Sequence, residues 1–167
     1  MELLGEIKDG DYSLHNPDIK MRKAARAILF DDQDLMPLLF VEKFDYYKIP
    51  GGGIEGDEST YNALIRECRE EVGCEIDVLG EVGKTQEYRH EWNEYQKSYC
   101  YYGKIVSKGL PNFSEKEIKS GFRVIWVILD DAIRLVKNAK PKNYAGRHNQ
   151  KRDTIFLEKM KEIKTHQ

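Results

Sequence analysis

Three consecutive glycines followed by a helical pattern are the feature that most constrains how this chain folds. Residues 51–53 are all glycine, so bare backbone can approach a ligand closely there. From Ser59 to Val72, apolar residues recur at three- and four-residue spacing, which predicts a helix with one buried stripe. The predicted stripe contains Tyr61, Leu64, Ile65, Cys68 and Val72. Asp57 is the candidate N-cap, and Gly73 has the position of a glycine that ends a helix. The sequence therefore predicts an open loop followed at once by a helix packed on the core.

The predicted helix carries three carboxylates, Glu67, Glu70 and Glu71, close together in the chain. Like charges at neighbouring helical positions repel, so the cluster is unfavourable unless a cation binds it. Helical geometry places Glu67 and Glu71 about one turn apart at the edge of the stripe, with Glu70 farther round. Because Mg²⁺ prefers oxygen ligands, the cluster predicts a divalent-metal site. The other interpretation is a solvated acidic face.

A second pair of charges connects the helix to the glycine loop. Glu58 and Arg66 are eight residues apart, which is about two helical turns. Arg66 is therefore predicted to reach back and fasten the loop through Glu58. The alternative is an ordinary surface ion pair, which contributes little to stability.

The rest of the chain predicts one α+β domain that spans residues 1–167. Apolar and aromatic runs predict strands at 20–30, 36–44, 46–50, 75–91, 94–106 and 122–129, and helices at 130–139 and 152–164. The first two strands are expected to pair as a hairpin, and the two long strands to turn near Trp92 and Asn93. Asp130 or Asp131 is the candidate cap of the helix 130–139. The segments 107–121 and 140–151 are predicted to be polar connections. This order of elements predicts a mixed sheet covered by helices on both faces.

Composition narrows the choice of partners. The chain has 167 residues and a net charge of −2, so no global field attracts nucleic acid or a membrane surface. No stretch approaches the roughly 20 apolar residues that a membrane helix needs. The cysteine count is odd and the spacing is not that of a zinc site, which favours reduced thiols and a cytoplasmic protein. Residues 1–20 form an N-terminal extension that either extends the sheet or takes part in a homodimer.

Residues 52–74 resemble the signature of the Nudix hydrolases, G-x5-E-x7-R-E-U-x-E-E-x-G-U, in which U is an apolar residue. The fixed positions are matched by Gly52, Glu58, Arg66, Glu67, Glu70, Glu71 and Gly73, and the two U positions are Cys68 and Cys74. Cysteine is acceptable there because a buried thiol behaves as a small apolar side chain. The resemblance, together with the order of elements, implies the α/β/α sandwich of that family.

The resemblance implies an enzyme that cleaves the pyrophosphate linkage of a nucleoside diphosphate joined to another group, X. Water attacks a phosphorus atom of the bridge, and divalent ions neutralise charge and activate that water. The implied ligands of Mg²⁺, for which Mn²⁺ can substitute, are the carboxylates of Glu67, Glu70 and Glu71 and the carbonyl of Gly52. One of these glutamates, or a loop glutamate, is the implied general base.

Other residues and a second function stay open at this point. Glu58 and Arg66 are implied to support the site structurally. The further candidates for substrate contact or for the base are Arg26, Lys43, Glu115 and Glu117. The alternative function is a non-catalytic Nudix domain that binds a nucleotide or a protein partner as a regulator. Such domains usually lose a signature acid, so the complete signature favours hydrolysis. The signature leaves X, the number of metal ions and the identity of the base open.

Overall fold

A mixed sheet of five strands forms the centre of this computed structural model, which describes residues 1–10 and 17–166. The strands are β1 (Leu3–Lys8), β2 (Lys20–Phe30), β5 (Gly51–Gly53), β6 (Cys74–Arg89) and β7 (Glu94–Lys108). They lie in the order β1-β6-β7-β2-β5. β1 is parallel to β6 and β2 is parallel to β7, whereas the other pairs are antiparallel. The predicted mixed sheet is therefore confirmed.

A second sheet contains β3 (Met36–Val41), β4 (Tyr46–Lys48) and β8 (Phe122–Val127), in the order β4-β3-β8. The sequence did not predict this sheet, and the expected hairpin between 20–30 and 36–44 is wrong. β2 pairs instead with β5 and β7. The physical reason is burial, because Ala24 to Leu29 are all buried. A strand in the interior of a sheet needs a partner on each side, and its local pattern does not identify those partners.

Helices cover both faces of the five-stranded sheet, as predicted. They are α1 (Thr60–Val72), α2 (Glu115–Lys119), α3 (Leu129–Asn138) and α4 (Tyr144–Thr165). On one face, Leu64 of α1 belongs to the same core as Ala25. On the other face, Val136 of α3 and Phe156 of α4 share a core with Ile28. Because successive side chains of a strand point to opposite faces, β2 contributes to both cores, and the α/β/α sandwich is confirmed.

The last helix is longer than the sequence predicted. α4 begins at Tyr144 and not at residue 152, because the Asn143 side chain accepts a 2.8 Å hydrogen bond from the Gly146 N–H and caps the helix. The segment 140–151 is therefore largely helical and is not a simple connection. Its polar residues lack the apolar spacing by which a helix is recognised in a sequence.

The starts of two other helices also differ from the prediction. α2 lies within 107–121, which was predicted to be a loop, and it begins with a capping box formed by Ser114 and Glu117. α3 has no side-chain cap. Asp130 and Asp131 lie in its first turn, so neither is the N-cap. Their carboxylates are placed where the positive end of the helix dipole favours them.

The helix after the glycines is confirmed over Thr60–Val72, but its cap and its buried face differ from the prediction. Ser59 rather than Asp57 is the N-cap, since its side chain accepts from the Asn62 N–H at 3.1 Å. Tyr61 is 53% exposed, so the buried face is rotated away from the predicted stripe. The buried residues are Ala63, Leu64, Glu67, Cys68, Glu71 and Val72. This rotation turns two of the three carboxylates into the protein interior.

The N-terminal strand extends the central sheet, which is one of the two roles predicted for residues 1–20. A role in a homodimer stays a prediction. The hairpin of β6 and β7 turns at His90–Trp92, with Asn93 in the left-handed region, where the sequence predicted the turn. Among the described residues, no α-helix is long and apolar enough to cross a membrane.

Gly73 ends α1 with a φ of +68°, and a Cβ there would lie 2.4 Å from the backbone carbonyl carbon of Leu110. We expect Gly73→Ala to lower the free energy of unfolding by about 1–2 kcal/mol for the left-handed conformation and by about 1–3 kcal/mol more for the overlap. The matched control is Gly56→Ala, because Gly56 has a φ of +50° and no heavy atom within 4 Å of its added Cβ. Chemical denaturation measures both variants. Equal losses would contradict the role assigned to the Leu110 contact.

Candidate active site

The backbone N–H and carbonyl of Gly51 join β5 to three charged side chains. Its N–H donates to Glu71 Oε2 at 2.8 Å. Its carbonyl oxygen accepts from Lys48 Nζ at 3.2 Å and from Arg26 Nη1. Lys48 Nζ also donates to Glu71 Oε1 at 2.7 Å. One acid and two bases therefore converge on the backbone of a single residue at the edge of the central sheet.

Each of the three glycines in β5 lies against a different group. Gly51 has a φ of +132°, and a Cβ there would lie 2.1 Å from a backbone oxygen of β2. A Cβ on Gly52 would lie 2.2 Å from a carboxylate oxygen of Glu67. A Cβ on Gly53 would lie 3.0 Å from Nη2 of Arg22. Because neighbouring residues of a strand point to opposite faces, β5 has a carboxylate against one face and a guanidinium against the other.

Glu71 is the most deeply buried of the three signature carboxylates in α1, with 2% of its surface exposed. Burial raises the pKa of the Glu71 carboxyl, whereas the Lys48 ammonium acts in the opposite direction. Lys48 is itself buried. Removing one member of a buried ion pair leaves the other charge without compensation, so we expect each side chain to depend on its partner.

Arg66 holds the outer part of the carboxylate cluster. Its guanidinium donates to Glu58 Oε1 at 2.6 Å, to the Gly53 carbonyl at 2.9 Å, to Glu67 Oε1 at 2.9 Å and to Glu70 Oε2 at 3.3 Å. Arg66 therefore connects the end of the glycine strand, the loop that follows it and the helix α1. That Glu58 and Arg66 support catalysis in this way stays a prediction.

The three signature glutamates are thus engaged by cations of the protein itself. Glu67 and Glu71 line one cavity, whereas the Glu70 side chain is 46% exposed and lies against Arg66. In residues 1–10 and 17–166, no three His, Cys, Asp or Glu side chains are grouped so as to hold a metal ion. The donor chemistry still suits Mg²⁺, since Glu67 and Glu71 present carboxylate oxygens near the same glycine strand. The assignment of these residues, with Glu70 and the Gly52 carbonyl, as metal ligands stays a prediction.

A cavity of about 750 Å³ opens over the glycine strand. The acids Glu67 and Glu71 line it together with the bases Arg22, Arg26 and Arg89. A cavity of this volume suits a small-molecule ligand. It joins carboxylates that can take a cation to guanidinium groups that can take an anion.

The further candidate residues that the sequence suggested fall into two groups, those that line the cavity and those that do not. Arg26 and Glu117 line it, and Glu117 Oε2 also accepts a 2.7 Å hydrogen bond from the Ser114 N–H. Lys43 and Glu115 lie outside its lining. The Lys43 ammonium is 5.3 Å from the centre of the neighbouring Phe44 ring. The geometry therefore retains Arg26 and Glu117 as candidates and gives no support to Lys43 or Glu115.

Three basic residues at the cavity, Arg22, Lys48 and Arg89, were missed in the sequence. Arg22 and Arg26 alternate with Ala24 along β2, so a period of two could have shown that they share a face. Lys48 precedes the glycine segment, and Arg89 precedes the turn between β6 and β7. A cation in such a position is usually exposed, and no local signal indicates that these two are buried.

The α/β/α sandwich, with a glycine strand facing glutamates on one helix, defines the class of Nudix hydrolases. The family described as "NUDIX domain" matches residues 20–148, which is more than half of the sequence. The chain belongs to the NUDIX domain family. The family and the fold that the signature implied are therefore confirmed.

Curated relatives support the same class. The chain is 28% identical over 138 residues to diphosphoinositol polyphosphate phosphohydrolase 3-alpha of Mus musculus, with 81% of each chain covered. It is 27% identical over 123 residues to diphosphoinositol polyphosphate phosphohydrolase 2 of Homo sapiens, with 73% of this chain and 65% of that one covered. The prediction of a Nudix pyrophosphohydrolase is confirmed at the level of enzyme class.

Solved structures share the fold. The E. coli ORF135 protein matches with a TM-score of 0.60 and 19% identity, covering 89% of this chain and 94% of that chain. An ADP-ribose pyrophosphatase from Streptococcus suis matches with a TM-score of 0.54 and 18% identity, covering 82% and 90%. At these identities, the likeness shows the architecture of the domain.

We expect Lys48→Met to lower the free energy of unfolding by about 3–5 kcal/mol, because it leaves the buried Glu71 carboxylate unpaired. The matched control is Lys137→Met. The Lys137–Glu158 pair has a similar separation, 2.8 Å against 2.7 Å, but both of its side chains are 50% exposed. That change should cost no more than about 1 kcal/mol. Urea denaturation of both variants measures the difference, and equal costs would show that Lys48 does not stabilise Glu71.

Proposed function

We propose that this protein is a divalent-metal-dependent hydrolase that cleaves the pyrophosphate linkage of a nucleoside diphosphate joined to another group, X. The observation that carries the proposal is the meeting of Glu67 and Glu71 at the glycine strand, in a cavity also lined by arginines. A pyrophosphate carries several negative charges. It needs a cation at the carboxylates and donors around the remaining oxygens, and this cavity offers a place for both.

Mg²⁺, or Mn²⁺ in its place, would be held by the carboxylates of Glu67, Glu70 and Glu71 with the Gly52 carbonyl. When bound, such an ion neutralises phosphate charge and lowers the pKa of its water. Glu67 and Glu70 each have an oxygen on the Arg66 guanidinium, and Glu71 has one on Lys48. The acids therefore already have compensated charge, and Lys48, which lines the cavity, is placed to contact phosphate oxygens when a substrate enters.

The general base is a carboxylate that lines the cavity. Glu67 and Glu71 are the candidates within the signature, and Glu117 is the candidate from α2. In the reaction, the oxygen of water forms a bond to phosphorus, the bridging P–O bond breaks, and the carboxylate takes the proton. Glu115 is less suited to this role because it lies outside the cavity lining.

The proposed substrate is a small nucleotide derivative. One solved relative is named an ADP-ribose pyrophosphatase, and the curated relatives are named diphosphoinositol polyphosphate phosphohydrolases. The substrates in these names share a diphosphate group joined to a larger molecule, which is the linkage that we propose for this chain. The three cysteines are free and buried, which fits the proposed cytoplasmic location.

A non-catalytic binding role is the second candidate. The observation that favours it is the pairing of all three signature glutamates with Arg66 or Lys48. A domain that keeps these ion pairs would bind a nucleotide or a protein partner without turning it over. The two candidates differ in one property, since only the hydrolase consumes its ligand in a metal-dependent way.

We expect Mg²⁺-dependent turnover of at least one compound in a panel of nucleoside triphosphates, ADP-ribose, NADH, dinucleoside polyphosphates and nucleotide sugars, and we expect EDTA to abolish it. Glu67→Gln should lower kcat/KM for that compound by about 10²-fold or more, because the change removes a ligand or a base without changing the shape of the side chain. Glu67→Gln should also weaken binding of Mn²⁺, followed by electron paramagnetic resonance.

The matched control for this experiment is Glu75→Gln. Glu75 is an exposed carboxylate just beyond α1 that pairs with Arg69 at 2.7 Å. The substitution Glu75→Gln should leave both turnover and Mn²⁺ binding unchanged. Binding of a panel compound without turnover in either Mg²⁺ or Mn²⁺ would overturn the hydrolase and favour the regulatory role.

A further inference from the structure

Three arginines form one wall of the cavity, opposite in charge to the carboxylates. This arginine wall consists of Arg22, Arg26 and Arg89, which all line the cavity. Arg22 lies two positions before Ala24 in β2, and Arg26 lies two positions after it. The two arginines therefore project from the same face of the strand. Arg26 and Arg89 are each only 4% exposed, and Arg22 is partly buried. Two of the three arginines are thus buried, and all three border the same cavity.

The acids near the wall compensate only part of this charge. Arg89 is paired with Glu87 at 2.7 Å and with Glu94 at 3.3 Å. Arg22 donates to the neutral amide of Gln96, and Arg26 donates to the Gly51 carbonyl. The Nε atom of Arg26 is buried and has no hydrogen-bond partner in the described part of the chain. At Arg22 and Arg26, the wall therefore has hydrogen-bond donors and positive charge that no described carboxylate contacts directly.

The surroundings of the wall contain charges of both signs. Burial lowers the pKa of Arg26 to about 9, and the positive charge of the fully buried Arg152 acts in the same direction, whereas Asp153 and Glu87 oppose it. Burial also lowers the pKa of Arg22, where Glu94 opposes the effect and Arg89 adds to it. Uncompensated charge of this kind is costly in a protein interior, and a bound anion relieves that cost.

The wall lies within reach of a molecule held at the carboxylates. The glycine strand β5 separates the two groups, with Glu67 against Gly52 and Arg22 against Gly53. Adjacent Cα atoms are about 3.8 Å apart, so the two sides of the site are neighbours along one short strand. A substrate whose pyrophosphate lies at Glu67 and Glu71 can therefore extend over the arginines within the same cavity.

We propose that Arg22, Arg26 and Arg89 form a phosphate subsite, which binds a phosphate monoester of the substrate in addition to the pyrophosphate that is cleaved. This inference rests on the proposed function and specifies X further, as a group that carries phosphate. A phosphate monoester presents several oxygens and up to two negative charges, which matches the planar donor forks of adjacent arginines. A neutral sugar or a base would leave this charge without compensation.

The test uses myo-inositol hexakisphosphate as a probe in the presence of EDTA, with binding measured by isothermal titration calorimetry. The probe carries phosphate monoesters and no pyrophosphate, so it reports on the wall and not on hydrolysis. Arg22→Gln should weaken binding about tenfold to a hundredfold, because it removes charge-assisted hydrogen bonds. Arg22→Lys, which keeps the charge but loses the donor fork, should have an intermediate affinity and guards against a folding defect.

The matched control is Lys23→Gln, which removes one positive charge from the next position of β2. Lys23 is exposed and projects from the opposite face of the strand, so its loss should change the affinity less than twofold. Absence of binding to the unaltered protein would overturn the subsite. Equal losses in Arg22→Gln and Lys23→Gln would also overturn it, because they would indicate a diffuse surface charge.

The outcome for the subsite is separable from the outcome for the proposed function. Glu67→Gln should keep its affinity for the probe in EDTA even though it loses turnover. If the probe binds at the arginines while no panel compound is hydrolysed, the subsite stands and the hydrolase fails. If hydrolysis is observed while Arg22→Gln binds the probe as tightly as Lys23→Gln does, the hydrolase stands and the subsite fails.

Discussion

The backbone of Gly51 donates its N–H to Glu71 and accepts hydrogen bonds from Lys48 and Arg26 at its carbonyl, all within the protein interior. These bonds connect the edge of the central sheet to α1, to β4 and to β2. The position of the Glu71 carboxylate beside the cavity depends on the backbone of this residue, whereas Arg66 holds Glu67 and Glu70. A side chain at Gly51 would collide with β2, so the connection requires glycine as well as the charged partners.

The site is arranged as two groups of like charge on the two sides of a thin strand. Glu67 approaches Gly52 from one face of β5, and Arg22 approaches Gly53 from the other. The carboxylates are compensated by Lys48 and Arg66, whereas Arg22 and Arg26 donate to neutral acceptors. A ligand that brings a cation to one group and anionic oxygens to the other satisfies both. A metal-bound polyphosphate compound has this combination of charges.

Local sequence patterns predicted the helices and strands well where the apolar spacing was regular. They failed where packing between residues far apart in the chain decided the structure. The apolar spacing between Ser59 and Val72 identified α1, and the glycine after it marked its end. The same spacing placed Tyr61 inside, although Tyr61 is 53% exposed, because the position of the sheet decides which side of a helix is covered. The start of α4 was missed because its first turns are polar and its cap, Asn143, is a common loop residue.

The sequence by itself determined the family and the helix with its three glutamates, because these depend on residue types at short, regular spacings; the glycines were predicted as an open loop, and only pairing with β2 makes them a strand. Only the tertiary structure decided that β2 and β3 belong to different sheets, that Lys48 neutralises Glu71, and that Arg22, Arg26 and Arg89 share one cavity. Residues far apart in the chain meet there through strand pairing and burial. Such contacts follow from which surfaces pack together, and no local pattern of residues specifies that choice.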